Sequence, residues 1–306
     1  MWTRVLGADQ VVANITLEQW KKFIDERRSG AIDAHGRRVE GEDERQPVRD
    51  RTLEADLTWL RLVVGWGARW RDQRGEYLLR ENVLRGYPIP REKNPRRPVA
   101  TTDRYEALME LLAKVERGEG PKSKTGCRLS FGYLAEILPV VAGTGRRLSS
   151  VLALRYSDIL PERGDHGSIR WRGDHDKGGR ESVAYIGPDV RAAIDKALAR
   201  RPGIGEGWLF AAPRKPAVYV SRSVADKWLR TAEKAAGLET QRGSLWHAYK
   251  RARVSAWIDA GFPLTAIGQA TGNRDERNLL RAYGHAVDST VQTMVNTQIE
   301  IREANQ

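Results

Sequence analysis

Cysteine is almost absent from this chain: Cys127 is the single one among 306 residues. That excludes an internal disulfide and any zinc site built on paired cysteines. Long apolar runs are missing as well, and none approaches the ~18 residues of a membrane span. The opening residues 1–10 lack the apolar core of a secretory signal. The expectation is a cytoplasmic protein with no membrane partner. No spacing of His, Cys and carboxylates suits a metal ion, so no cofactor is expected. No internal repeat or low-complexity tract is evident.

What is abundant is positive charge. Lys and Arg total 52 against 40 Asp and Glu, giving a net charge of +12 and a pI near 9.9. Such an excess favours an anionic partner, above all nucleic acid. Arginine dominates, and its planar fork matches phosphate better than an ammonium does. The length suits two domains with ample core.

In chain order, Thr16 is a natural cap for a helix with Trp20, Phe23 and Ile24 on one face. Residues 30–47 are charged and glycine-containing, which predicts a loop or mobile arm. Leu53, Leu57, Leu60 and Val64 then mark a strong amphipathic helix. Arg61, Arg69, Arg71 and Arg74 in or just after it form either a solvated basic face or a surface laid along DNA. Residues 85–98 hold Pro88, Pro90, Pro95 and Pro98 with Arg91, Lys93, Arg96 and Arg97, and so read as an extended basic linker. The expected organisation is an N-terminal segment over 1–50, a helical domain over 51–95 (beginning as early as 14), and a larger domain over 99–306.

The larger domain carries the chemistry. Lys122, Lys124 and Arg128 make a basic loop, followed by an apolar helix over 129–141. Gly143-Thr144-Gly145 is a turn that gives way to another helix, with Arg147 in its first turn. Short alternating runs at 168–171 and 182–186 predict a hairpin with Lys177 in its Gly-rich turn. His247, Lys250 and Arg251 sit near the start of a helix that runs to Gly261. Thr271-Gly272-Asn273 ends the next helix, and Tyr283 comes after it in Ala-Tyr-Gly-His. Val287, Val291, Met294, Val295 and Ile299 predict an amphipathic terminal helix.

In this order the elements resemble the tyrosine recombinase (phage integrase, lambda-type) family over about residues 100 to 290. The family's T-G-x-R-x-S-E-x-L-x-L segment aligns with Thr144 to Leu154, its hairpin lysine with Lys177, and its H-x-L-R box with His247-Ala248-Tyr249-Lys250. Its L-G-H segment aligns with Thr271-Gly272-Asn273, and its nucleophile with Tyr283. The resemblance implies a mainly α fold with a small β-sheet, preceded by a helical core-binding domain. It implies double-stranded DNA as partner, and strand cleavage and rejoining through a 3′-phosphotyrosine. Arg147 and Lys250 would stabilise the charged phosphate, Lys177 would protonate the leaving oxygen, and His247 and Asn273 would assist.

Remaining basic residues, Arg61, Arg69, Arg91, Lys93, Arg96, Arg97, Lys122, Lys124, Arg146 and Arg251, are expected on the DNA. The terminal helix would support a dimer or tetramer there, and the protein would sit on the nucleoid. The catalytic set departs from the family pattern in three ways. Lys250 replaces an arginine and loses its bidentate fork. Asn273 replaces a histidine or tryptophan. One extra residue separates Asn273 from Tyr283. These departures leave open a second reading, a non-catalytic DNA-binding regulator that reuses the fold. Other uses remain open for single residues, such as a packed histidine at 247 or a packed tyrosine ring at 283.

Overall fold

The computed structural model describes residues 1–92, 97–122, 125–176, 179–241, 245–273 and 279. Lys93, Arg96, Lys124, Lys177, Tyr283 and the expected terminal helix lie outside them. The chain divides into two compact units, Met1–Pro95 and Arg96–Gln306.

In the first unit α1 (Trp2–Leu6), α2 (Leu17–Arg28) and α3 (Asp50–Gly67) surround one small core. Thr16 opens α2 with a capping box: its hydroxyl accepts from the Gln19 N–H, while the Gln19 side chain accepts from the Thr16 N–H. Trp20, Phe23 and Ile24 of α2 pack against Leu53, Leu57, Leu60 and Val64 of α3, with Leu84 completing the core. Trp20 also donates its indole N–H to the Pro88 carbonyl at 2.7 Å. Residues 1–50 are therefore no separate segment, because they supply half of this core: Ile15, Trp20, Phe23, Ile24 and Ile32.

Of the two readings of residues 30–47, a loop or a mobile arm, the structure has the loop, pinned by a turn. Ile32 is buried and bridges Arg38, and the Asp33 carboxylate accepts from the His35 and Arg37 N–H groups at 2.8 Å. The same device recurs where Arg71 bridges Tyr77 around Asp72 and Gly75, a short structural repeat that sequence inspection did not disclose.

The second unit begins with α4 (Thr102–Glu116), capped by Thr101. At its centre is α5 (Leu134–Thr144), whose residues from Leu134 to Val141 are all buried. The unit continues through α6 (Leu148–Leu152), β1 (Ile159–Leu160), β2 (Ser168–Trp171), β3 (Ser182–Tyr185) and α7 (Pro188–Arg200). Then come β4 (Ala211–Ala212), β5 (Lys215–Tyr219), α8 (Arg222–Ala235), α9 (Leu245–Asp259) and α10 (Leu264–Thr271). Strands β1, β2 and β3 form an antiparallel sheet in that order, with Trp171 opposite Ser182; β4 and β5 pair separately.

Helix α5 is buried and mostly apolar, Glu136 and Thr144 apart, because α4, α6, α7, α8 and α9 all pack on it. A buried polar tie joins α4, α8 and α9. Arg104 pairs with Glu233 at 2.9 Å, and Tyr249 donates its hydroxyl to the same carboxylate at 3.3 Å. Desolvation is the main reason that the Tyr249 phenol is pushed up from its ordinary value.

Candidate functional site

The site is built where α5 turns into α6. Helix α5 ends at Thr144, whose hydroxyl donates back to the Val140 carbonyl at 2.6 Å. Gly145 then takes the left-handed conformation at φ 62°, which glycine adopts without the Cβ penalty. That turn throws Arg146 and Arg147 forward as adjacent residues with different fates. Helix α6 is only five residues long and Arg147 is its N-cap residue in extended backbone, not a first-turn residue.

Arg146 is 2% exposed. Its guanidinium donates to the Ala270 carbonyl at 2.7 Å, to the Gln269 carbonyl at 3.0 Å and to the Ser182 hydroxyl at 3.0 Å, and it stacks over Trp171. Asp176 lies 3.7 Å away. The expectation that Arg146 contacts DNA is corrected: its donors hold the end of α10 to the β2–β3 hairpin. Arg147 meets the other oxygen of Asp176 at 3.4 Å and keeps its side chain 27% exposed. It is the open member of the pair.

The hairpin brings Asp176 to this point. A turn over 173–175 comes after β2; the Asp176 N–H donates to the Gly173 carbonyl, and the Gly179 N–H donates to the Asp176 carbonyl. The Asp176 side chain is 7% exposed. Ser150 of α6 donates its hydroxyl to the His175 carbonyl at 2.9 Å, which seats the turn against α6.

Helix α9 supplies the other cations. His247, Lys250 and Arg251 are spaced three and four apart and so share a face. Lys250 is buried at 7% exposure and donates to the Thr271 carbonyl at 3.4 Å. Its ammonium is pushed down to about 7, first by desolvation and then by Arg147 and Arg146, with Asp176 acting in the opposite direction. His247 is exposed at the surface. Its imidazole is nevertheless lowered, first by desolvation and then by Arg251, Lys250, Arg222 and Arg147. Arg251 is buried and donates to the Pro98 carbonyl at 2.6 Å, so its expected place on DNA is also corrected: it ties the start of the unit to α9.

Asn273 lines a cavity of about 490 Å³ with Asp176, Ser182, Gln269 and Gly272. Its N–H donates to the Gly268 carbonyl at 2.9 Å. Gly272 closes α10 at φ 68°, and a Cβ there would stand 2.4 Å from Arg146 Nη1 and 3.0 Å from Asp176 Oδ2. No other residue fits both the backbone and the space.

The structure thus brings Arg147, His247, Lys250 and Asn273 into one neighbourhood. Asp176 and Arg222 join it without having been singled out from sequence. Among the remaining expected DNA contacts, Arg69, Arg91, Arg97 and Lys122 are exposed. Arg61 turns back and donates to the Tyr87 carbonyl. The exposed face of α3 from Trp59 on is apolar, not basic: Trp59, Leu62, Val63 and Trp66 occupy it. Among the described residues no group of three or more His, Cys, Asp or Glu forms a metal-ion cluster, and no helix is long and apolar enough to cross a membrane.

No family model matches the chain. The tyrosine recombinase XerD of Caulobacter vibrioides is 24% identical over 254 residues, which cover 81% of this chain and 73% of that protein. Among solved structures, the Tn1549 transposon integrase in complex with a circular intermediate DNA superposes with a TM-score of 0.62 at 14% identity, over 96% of this chain and 90% of that one. The XerH site-specific recombinase bound to its difH substrate gives 0.57 at 14% identity, over 89% and 68%. The chain has the tyrosine recombinase fold, mainly α with small sheets. These likenesses support the tyrosine recombinase/integrase family that the motifs resemble.

Proposed function

We propose that this chain is a site-specific DNA recombinase or integrase that breaks and rejoins double-stranded DNA through a 3′-phosphotyrosine. One observation carries the reading. Arg146 and Arg147 from the α5–α6 turn pair with a single carboxylate, Asp176, whose charge also acts on Lys250 of α9. Three cations against one anion leave a surplus of positive charge, which a phosphodiester would neutralise.

In the proposed reaction the Tyr283 oxygen attacks phosphorus, the bond from phosphorus to the 5′-oxygen breaks, and that oxygen takes a proton from Lys177. Arg147 and Lys250 hold the non-bridging oxygens where charge accumulates. His247, held below its ordinary pKa, is neutral at pH 7 and suited to accept the tyrosine proton. The exposed Arg69, Arg91, Arg97 and Lys122 serve the DNA backbone, as Lys93, Arg96 and Lys124 would. Assembly on DNA through the terminal helix and a place on the nucleoid belong to the same proposal. The regulator reading has no observation in its favour.

The test is a duplex carrying the target site with a nick that traps the cleaved strand. The wild-type chain should form a covalent protein–DNA adduct and Tyr283→Phe should form none. An adduct that persists in Tyr283→Phe removes the nucleophile, and no adduct from the wild type removes the enzyme. Because Lys250 lacks the arginine fork, Lys250→Arg is expected to raise adduct formation, against the roughly 10²–10³ that one lost oxyanion donor costs.

A further inference from the structure

Three buried or half-buried cations rarely pack together without an anion, because each loses hydration and repels the others. Arg146 and Arg147 are adjacent in the α5–α6 turn, and Lys250 comes from α9, about a hundred residues further on. Asp176 is the carboxylate that all three share: Oδ2 lies 3.7 Å from Arg146, Oδ1 lies 3.4 Å from Arg147, and its charge acts on Lys250. In the T-G-x-R-x-S-E resemblance the glutamate position falls on Ser150. The segment next to Arg147 therefore brings no acid of its own, and Ser150 spends its hydroxyl on the backbone of His175, the neighbour of Asp176.

We infer that Asp176 is the positioning residue of this pocket: from the hairpin it orients the Arg147 guanidinium and provides the counter-charge against which Arg146, Arg147 and Lys250 are packed. The inference rests on the proposed phosphate-binding function, which makes the orientation of Arg147 matter. Asp176 does not touch the reacting atoms. Its two oxygens engage two arginines, so Arg147 presents its free edge outward while Arg146 stays on the α10 carbonyls. Lys250 faces Arg147 and Arg146 from the α5–α6 turn and Asp176 from the hairpin, while His247 and Arg251 flank it on α9. Asp176 alone among these groups favours the charged ammonium, so its loss should discharge Lys250 at neutral pH.

Two measurements on the full chain test this. The first is an NMR titration of Lys250 Nζ in ¹⁵N-lysine-labelled protein. The wild type should titrate near 7. Asp176→Asn should lower that midpoint by about one pH unit or more, a roughly fivefold loss of charged Lys250 at pH 7. Asp176→Glu, which keeps the charge, should hold the midpoint close to wild type. Asp176→Ser serves as the second carboxylate-free variant should the Asn variant fail to fold. The second measurement is the pH profile of adduct formation on nicked duplex, whose alkaline limb should move to lower pH with the Lys250 midpoint.

A Lys250 midpoint that ignores both carboxylate-free variants overturns the inference. So does an unchanged adduct profile in a variant whose midpoint has moved. A wild type that forms no adduct while its Lys250 midpoint still depends on Asp176 sinks the recombinase reading and supports the pairing by itself.

Discussion

Gly272 offers the sharpest test of how the pocket is held. Gly272→Ala adds one methyl group at a backbone φ of 68°, and that methyl would stand 2.4 Å from Arg146 Nη1. Two costs add. Forcing an L-residue into the left-handed region costs about 1–2 kcal/mol. Pushing the buried guanidinium off its carbonyl and carboxylate partners loses a charge-assisted hydrogen bond, about 1.5–3 kcal/mol. The total is about 2.5–5 kcal/mol. Gly261→Ala is the matched control, since Gly261 has φ 78° with nothing within 4 Å of its would-be Cβ; it should show the backbone cost alone. Guanidinium unfolding of the full chain, tracked by tryptophan fluorescence, gives both values if the slopes agree with wild type. The excess of Gly272→Ala over Gly261→Ala should be about 1.5–3 kcal/mol, because of the two sites only Gly272 sets the methyl against a charged side chain. Equal costs for the two variants would falsify the claim that close approach to Arg146 dictates glycine at 272.

The same contacts have other consequences. Glu233→Ala leaves Arg104 buried beside the Tyr249 hydroxyl without its anion, and should cost about 3–5 kcal/mol in the same unfolding assay. Lys250 is held near 7 in the fold against an ordinary 10.5. Between those values the unfolded chain binds the extra proton, so stability rises with pH from about 7 towards 10 and is flat below. Lys250→Met should abolish that slope; a slope that survives would mean another group produces it. On α3, Leu62→Gln and Trp66→Gln replace exposed apolar side chains, so stability should move by no more than about 0.5 kcal/mol. The same changes should raise the concentration at which the protein stays monodisperse in light scattering.

Periodicity disclosed the helices because burial tracks spacing. Leu53, Leu57, Leu60 and Val64 had to share a face, and Thr16 had to cap the helix that begins at Leu17. The fate of each arginine was not legible on that basis. Arg61 lies on the half-buried edge of α3, but its long stem carries the guanidinium back to the Tyr87 carbonyl. A basic face, either solvated or laid along DNA, was therefore expected where the structure exposes Trp59, Leu62, Val63 and Trp66. The charged run over 30–47 looked like an arm because its composition conceals one buried anchor, Ile32, and one side-chain-capped turn at Asp33.

The site shows the limit most clearly at Arg146 and Arg147. Nothing local separates two adjacent arginines after a Thr-Gly turn. What separates them is Gln269 and Ala270, more than a hundred residues downstream, whose carbonyls need donors at the end of α10. Arg146 reaches those carbonyls because Gly272 has no side chain, and Arg147 is left facing outward. A sequence motif can thus name the arginine that serves the phosphate, but the reason it is free lies in the partners its neighbour has found. The one local trace of this was Ser150, standing where the resembling motif has glutamate. Two adjacent arginines without an acid in their own segment require one from elsewhere if either is to be buried. The hairpin supplies it as Asp176, next to the residue aligned with the family's lysine.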